Sequence, residues 1–585
     1  MNCSIRRRPV VPPASIGSRA STKGPCSLSA AGPSGDVPCE RPEHDAPARL
    51  TSIVRSWFGP SAGRRGRWLA VGTALVALLV YGLTLAPGLT FQHNGADGGD
   101  LVTAADTLGV PHPPGYPTYT LLGWLFTRVP VGTIAYRLNW LSALCAAVTV
   151  GLLCRIAQLL WPAAQHRNLR SAAAALALAF SALFWDQAVI AEVYTLLAFF
   201  AALLLWLLIR WRYEGRAWQF WMAALVLGLG LGNHLTLVFI TPALLVLLWP
   251  QRRRWLRPRL LLPAAGLLAA GLCVYVYLPL AAAHDPPVNW GDPTTWRQFL
   301  WVVTARQYQP FVFGLAPEAI LPRLSRWAGL LGEQFGWWGL VLVLIGAWSS
   351  WQRRRRFLLA CLAWIVPLGL YAFFYDTGDA HVQLLPILLL LALWWGEGTG
   401  YVLRLVRPLR RTWKRLALVL ILLLPFASLA LHWQAADLSG DWEVHAYIYQ
   451  ALEGVAPGGL IVVRGDRPTF SLWYALYAEK QRPDVAVVSG PLLAYVWYRH
   501  HVSRLYPRIV VPRPAAGEVT VDDLVRALIA ENMAERPVYA TDPGESWKAW
   551  FDFVEEEPYP IYRVHPRPVP AQAGLSPPPL RCPPG

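Results

Sequence analysis

Apolar runs long enough to cross a bilayer recur along this chain, and arginine clusters separate alternate pairs of them. The runs fall at about 68–86, 138–161, 171–186, 193–209, 217–232, 235–249, 260–282, 329–350, 357–375, 381–401 and 416–433. Each odd-numbered run follows a basic segment: Arg55, Arg64, Arg65 and Arg67, then Arg167 and Arg170, then Arg210, Arg212 and Arg216. The series continues with Arg252, Arg253, Arg254, Arg257 and Arg259, then Arg353 to Arg356, then Arg404, Arg407, Arg410, Arg411, Lys414 and Arg415. The alternate loops are acidic or nearly neutral, with Asp97, Asp100 and Asp106, then Asp186 and Glu192, then Asp376 and Asp379. Basic loops stay in the cytoplasm. The pattern therefore predicts a cytoplasmic N-terminus, eleven transmembrane helices and an extracytoplasmic segment after about residue 434.

Composition agrees. Hydrophobic residues make up 55% of the 585 and charged residues 15%, where a soluble chain carries about 25%. The net charge of +17 does not imply nucleic acid, because the arginines lie in short loops and form no continuous basic stripe. Cys145, Cys154, Cys273 and Cys361 lie inside apolar runs, and Cys3, Cys26, Cys39 and Cys582 near the ends. That spacing supports neither a metal site nor a disulfide framework. No phosphate-cradling Walker A motif occurs, and no cofactor is expected.

The expected organisation has four parts. Residues 1–66, rich in Pro, Ser and Arg, read as a disordered cytoplasmic segment. Residues 67–433 form the membrane domain, with long outer loops at 87–137 and 283–328. Residues 434–570 read as a soluble extracytoplasmic α/β domain, because the β-branched runs 460–463 and 485–488 flank a helix-like stretch. Residues 571–585 are Pro-rich and expected to be disordered. The predicted class is an all-α polytopic membrane protein with a C-terminal α/β domain.

Chemistry concentrates in the first outer loop. Asp97 and Asp100 follow and flank glycines, and the segment runs on through Asp106 to His112-Pro-Pro-Gly-Tyr116-Pro117. A plain structural reading exists: Asp97 at a helix N-cap and Asp100 in its first turn favour the positive end of the helix dipole. The Pro-rich run can likewise be a rigid loop.

The segment Asp97-Gly-Gly-Asp100 followed by Thr107-Leu-Gly-Val-Pro-His112-Pro-Pro-Gly-Tyr116-Pro117 resembles the signature of the family called domain of unknown function 2723, related to protein O-mannosyltransferases. Colinear similarity continues in Tyr136-Arg-Leu-Asn139, Phe184–Tyr194, Gly230–Thr236, Asn289-Trp-Gly-Asp292, Arg306-Gln-Tyr308 and Arg464–Tyr474. Two positions depart from it. Asp100 stands where the family has Glu, and Arg464 stands where it tends to Asp.

The resemblance implies a type C glycosyltransferase fold, with the active site on the first large outer loop. It implies transfer of a sugar, mannose, from a polyprenyl-phosphate donor to an acceptor hydroxyl on a protein or glycan. Asp97 is then the general base, and Asp100 the partner that raises its pKa or orients it. The leaving phosphate needs positive charge or donors, for which His112, Arg137, Arg306 and His381 are the outer-side candidates. Tyr116, Glu192, Asn233 and His234 complete the expected substrate-binding set. Plain alternatives stand beside them: interfacial Arg and His meet lipid headgroups, Glu192 caps a helix, and Asn233 with His234 packs helices. A transporter or flippase of lipid-linked sugars, or a non-catalytic membrane assembly protein, would share the composition. A transporter usually places its acids at mid-membrane and often repeats internally, whereas here the acids gather in outer loops.

Overall fold

A backbone in lipid must satisfy its own N–H and C=O groups, so the apolar runs can only be helices. The computed structural model describes residues 64–162, 164, 166–513, 519–557 and 560–567. The segments expected to be disordered, 1–66 and 571–585, lie outside it, except that Arg64, Arg65 and Gly66 open the first helix, Arg64–Leu83.

Among the described residues, eight helices are long and apolar enough to cross a membrane. They are Arg64–Leu83, Ile134–Leu160, Tyr194–Glu214, Leu235–Trp255, Pro258–Ala282, Pro317–Phe374, Ala380–Leu405 and Arg411–Ala436. The Pro317–Phe374 element leaves helical geometry at Gly336 (φ 65°, ψ 161°) and at Arg354 (φ −144°, ψ 44°). The second break falls between the expected runs 329–350 and 357–375. The expected fifth run is the shorter helix Ala217–Leu231. The expected third run, 171–186, differs most. It breaks at Phe180 into Arg167–Ala179 and Ala182–Asp186, each too short to cross alone.

The tail holds a five-stranded sheet in the order β2-β1-β3-β5-β4. These are β1 (Leu460–Val463), β2 (Ala486–Ser489), β3 (Val538–Ala540), β4 (Phe551–Glu556) and β5 (Ile561–Pro566). Strands β2, β1 and β3 run parallel and are buried along their whole length, as strands covered on both faces should be. Strands β4 and β5 close the edge as an antiparallel pair.

Two contacts bring loops 87–137 and 283–328 and the tail together. Val110 and Asn289 form a parallel bridge, with Val110 N–H donating to Val288 O at 2.8 Å and Trp290 N–H to Val110 O at 3.0 Å. The tail helix Asp466–Trp473 packs on the loop helix Gly98–Thr107 so closely that a Cβ on Gly99 would lie 2.5 Å from the Phe470 carbonyl oxygen.

Candidate active site

Asp97 occupies the N-cap position of Gly98–Thr107, yet its side chain makes no capping hydrogen bond. Asp100, in the first turn, also turns away from its own helix. It is completely buried and accepts three hydrogen bonds: from His112 N–H at 2.9 Å, from His112 Nδ1 at 2.8 Å and from Trp290 Nε1 at 2.9 Å. The other imidazole nitrogen, His112 Nε2, faces Asp97 Oδ2 at 3.7 Å. His112 thus stands between the two carboxylates. Both acids sit at the start of the helix, but the Asp97 side chain makes no capping hydrogen bond and that of Asp100 is committed to His112 and Trp290.

The three groups differ in access. Asp100 is sealed and His112 nearly so, whereas the Asp97 side chain is 39% accessible. It is accessible although protein surrounds it, so its carboxylate opens onto an internal recess. Around His112 lie Tyr116, with ring centroids 5.1 Å apart, Trp290 at 6.3 Å, Tyr308 at 6.4 Å and Phe470, stacked at 6.5 Å. The sharp turn at Gly115 (φ 88°) and Tyr116 (φ 36°) swings the phenol under the imidazole, and glycine suits the first of these positions.

Charge is unevenly distributed. Burial pushes the Asp97 carboxyl up to about 6; Asp379, Asp466 and Asp100 add to the rise and His112 opposes it. Burial alone would strip His112 of its proton, but Asp97 and the hydrogen bond to Asp100 hold the imidazolium, and its pKa is about 9. Burial, reinforced by Asp97, raises Glu192 well above the usual carboxylate range. His234 is pushed down to about 4 by burial and by His112, so it is neutral, and its Nδ1 faces the Thr236 hydroxyl at 2.7 Å. At neutral pH the centre is a carboxylate at Asp97 against an imidazolium at His112, with a neutral His234 beside them. A buried carboxylate with a pKa near the working pH is well suited to accept a proton.

The remaining sequence candidates divide. Tyr116 and His234 meet, with ring centroids 6.0 Å apart. Asn233 donates to Val193 O at 3.1 Å, and its own carbonyl oxygen is buried with no partner among the described residues. His381 lies 3.4 Å from Asn94, in the segment leading to Asp97. Arg306 is exposed and forms no ion pair or hydrogen bond among the described residues. Arg137 is not brought to the site. Its guanidinium donates to the carbonyls of Thr127, Val131 and Gly132, where it ties down a turn. His112 is held between the two acids, with Nδ1 on Asp100 at 2.8 Å and Nε2 facing Asp97 at 3.7 Å.

Sequence reasoning assigned no role to Trp290, Tyr308, Phe470, Asp379 or Asp466. Trp290, Tyr308, Asp466 and Phe470 all lie in the similar segments quoted above, and that was their only signal.

Residues 97–256 match the family model described as "Protein O-mannosyl-transferase TMEM260 N-terminal domain", and residues 444–507 match "TMEM260-associated domain 2". The chain is 30% identical over 464 residues to "Protein O-mannosyl-transferase TMEM260" of Mus musculus, covering 74% of this chain and 64% of that one. The chain is thus similar to proteins described as protein O-mannosyltransferases. A Dictyostelium discoideum relative of the same description is 24% identical over 517 residues, covering 79% of this chain and 62% of its own length. The match thus spans a little under two thirds of each of these relatives.

Two solved structures share the fold. ArnT from Cupriavidus metallidurans bound to undecaprenyl phosphate superposes with a TM-score of 0.51 at 10% identity, over 86% of this chain and 98% of that one. Its apo form gives 0.53 at 11% identity, over 88% and 98%. The chain therefore has the type C glycosyltransferase fold and is a multi-pass membrane protein.

Proposed function

We propose that the protein is a membrane glycosyltransferase that moves mannose from a polyprenyl-phosphate donor to an acceptor hydroxyl on a protein or glycan. The observation that carries this reading is the Asp97–His112–Asp100 arrangement, with one carboxylate left open to a recess and the His112 ring, held by Asp100, set against it. The donor class is supported by the fold shared with a protein solved with undecaprenyl phosphate, and the sugar by the description of the relatives.

The step is an inverting displacement. The acceptor oxygen bonds to the anomeric carbon as its proton passes to Asp97. The bond from that carbon to the phosphate oxygen breaks, and its electron pair leaves on the lipid phosphate. Arg306, without an ion-pair or hydrogen-bond partner among the described residues, and His381 are the groups proposed to meet that phosphate. Phe470 walls His112, so the tail shapes the acceptor side of the recess.

We place the N-terminus and the arginine loops in the cytoplasm, and the recess and tail outside the plasma membrane. A cysteine at Thr377 then reacts with an impermeant thiol reagent in intact cells and one at Arg254 does not; the reverse would overturn this placement. The function is tested with purified protein and polyprenyl-phosphate mannose. Release of polyprenyl phosphate coupled to mannosylation of an added acceptor is expected. Transmembrane movement of the lipid-linked sugar without transfer would favour a flippase.

A further inference from the structure

A trough of about 470 Å³ is lined by Leu245, Val246, Trp249 and Leu359 together with Arg355 and Arg356. It lies away from the Asp97 site. Helical residues 357–374 separate Arg356 from the Asp376–Asp379 loop, and 18 residues rise about 27 Å.

The arginines here lack counter-charge. Residues 215–284 and 334–375, which supply the trough, contain no Asp or Glu at all. Among the described residues the turn Arg353–Arg356 pairs with Glu397, which three arginines already share: Arg170 at 3.5 Å, Arg404 at 3.6 Å and Arg354 at 3.9 Å. Arg355 lies over the Trp351 ring at 4.2 Å, and among the described residues neither it nor Arg356 forms an ion pair. Trp249 and Trp351 carry indoles of the kind that settle at headgroup depth. A site that pairs an apolar lining with two unneutralised guanidinium groups fits an acyl chain ending in a phosphate.

We infer that this trough binds an anionic phospholipid, with an acyl chain along Leu245, Val246 and Leu359 and the phosphate between Arg355 and Arg356. The site is independent of the reaction at Asp97. Attraction of an anionic lipid is about fivefold per arginine near the surface, so the pair contributes roughly thirtyfold in preference.

The experiment is native mass spectrometry of the full chain released from mixed vesicles of phosphatidylglycerol and phosphatidylcholine with matched acyl chains. Wild-type protein should retain phosphatidylglycerol preferentially. Arg355→Gln/Arg356→Gln should lose that preference, and Arg355→Lys/Arg356→Lys should keep most of it. Leu359→Trp, which fills the trough and leaves both arginines, should also lower retention. Equal retention of the two lipids by wild type would overturn the inference. So would an equal loss in Arg407→Gln/Arg410→Gln, which would mean a diffuse basic surface. Displacement of the lipid by millimolar inorganic phosphate would reassign the site to free anions.

Discussion

Trp290 donates its indole N–H to the buried Asp100 carboxylate at 2.9 Å, joining two loops through residues 190 apart in sequence. The tail braces this arrangement from the far side. Arg504 pairs with Asp285 at 2.9 Å and Asp292 at 3.3 Å, and the His501 ring lies 3.0 Å from Pro287 O. Trp290 is a positioning residue: it acts through Asp100, which orients His112, which faces Asp97. Trp290→Phe keeps most of the packing and leaves a carboxylate oxygen without its donor, at about 1–3 kcal/mol. Turnover should fall roughly ten- to a hundredfold with little change in donor KM, and the acid limb of the pH profile should move upward. A change in donor KM alone would assign Trp290 to substrate binding.

The pH profile follows from the two charges. Asp97 accepts a proton only when ionised, so activity should rise with pH through about 6. The imidazolium of His112 lowers the Asp97 pKa, opposing burial and the neighbouring acids. His112→Gln removes that cation, so the acid limb should shift above 6, with the loss at pH 7 partly recovered at pH 8.5. An unshifted limb would show that His112 does not set the ionisation of Asp97.

Gly99 measures how tightly the tail sits on the site. Gly99→Ala puts a Cβ against the Phe470 carbonyl at 2.5 Å, a backbone clash that no side-chain rotation relieves. Overpacking of this kind costs about 1–3 kcal/mol. The thermal midpoint and the transfer rate should both drop, and protease should cut the tail more readily. Gly72→Ala, with nothing within 4 Å of its Cβ, should leave all three unchanged.

Much of this was legible in the sequence, and the misses have physical causes. Apolar runs fix helices because lipid permits little else, and the Asp97–Asp100 spacing places both acids at one helix start. The broken third run was hidden because Phe180-Ser181 is as apolar and small as its neighbours, and the interruption depends on packing. Arg137 read as a phosphate ligand because sequence cannot show carbonyls already occupying a guanidinium. His112 read as a free donor for the same reason, since its acid partners and the distant Trp290 meet only in the fold. Of the tail, the β-branched strands were readable, but the seat of Phe470 against His112 was not.

Arg306 is the exposed cation proposed for the donor phosphate. A charge-assisted hydrogen bond contributes about 1.5–3 kcal/mol. Arg306→Ala should therefore raise donor KM roughly ten- to a hundredfold, with acceptor KM steady. His381→Ala, whose ring already contacts Asn94, should do less. Unchanged donor binding in both variants would move the phosphate site elsewhere.

Asp97→Asn is the most direct measurement. It keeps the size and hydrogen-bonding reach of the side chain and removes only the proton acceptor, on a carboxylate that caps nothing in the structure. Purified Asp97→Asn protein should bind polyprenyl-phosphate mannose as wild type does and unfold at the same temperature. Its single-turnover transfer rate should be lower by about 10²–10⁴. Transfer at the wild-type rate would contradict the assignment of Asp97 as the base.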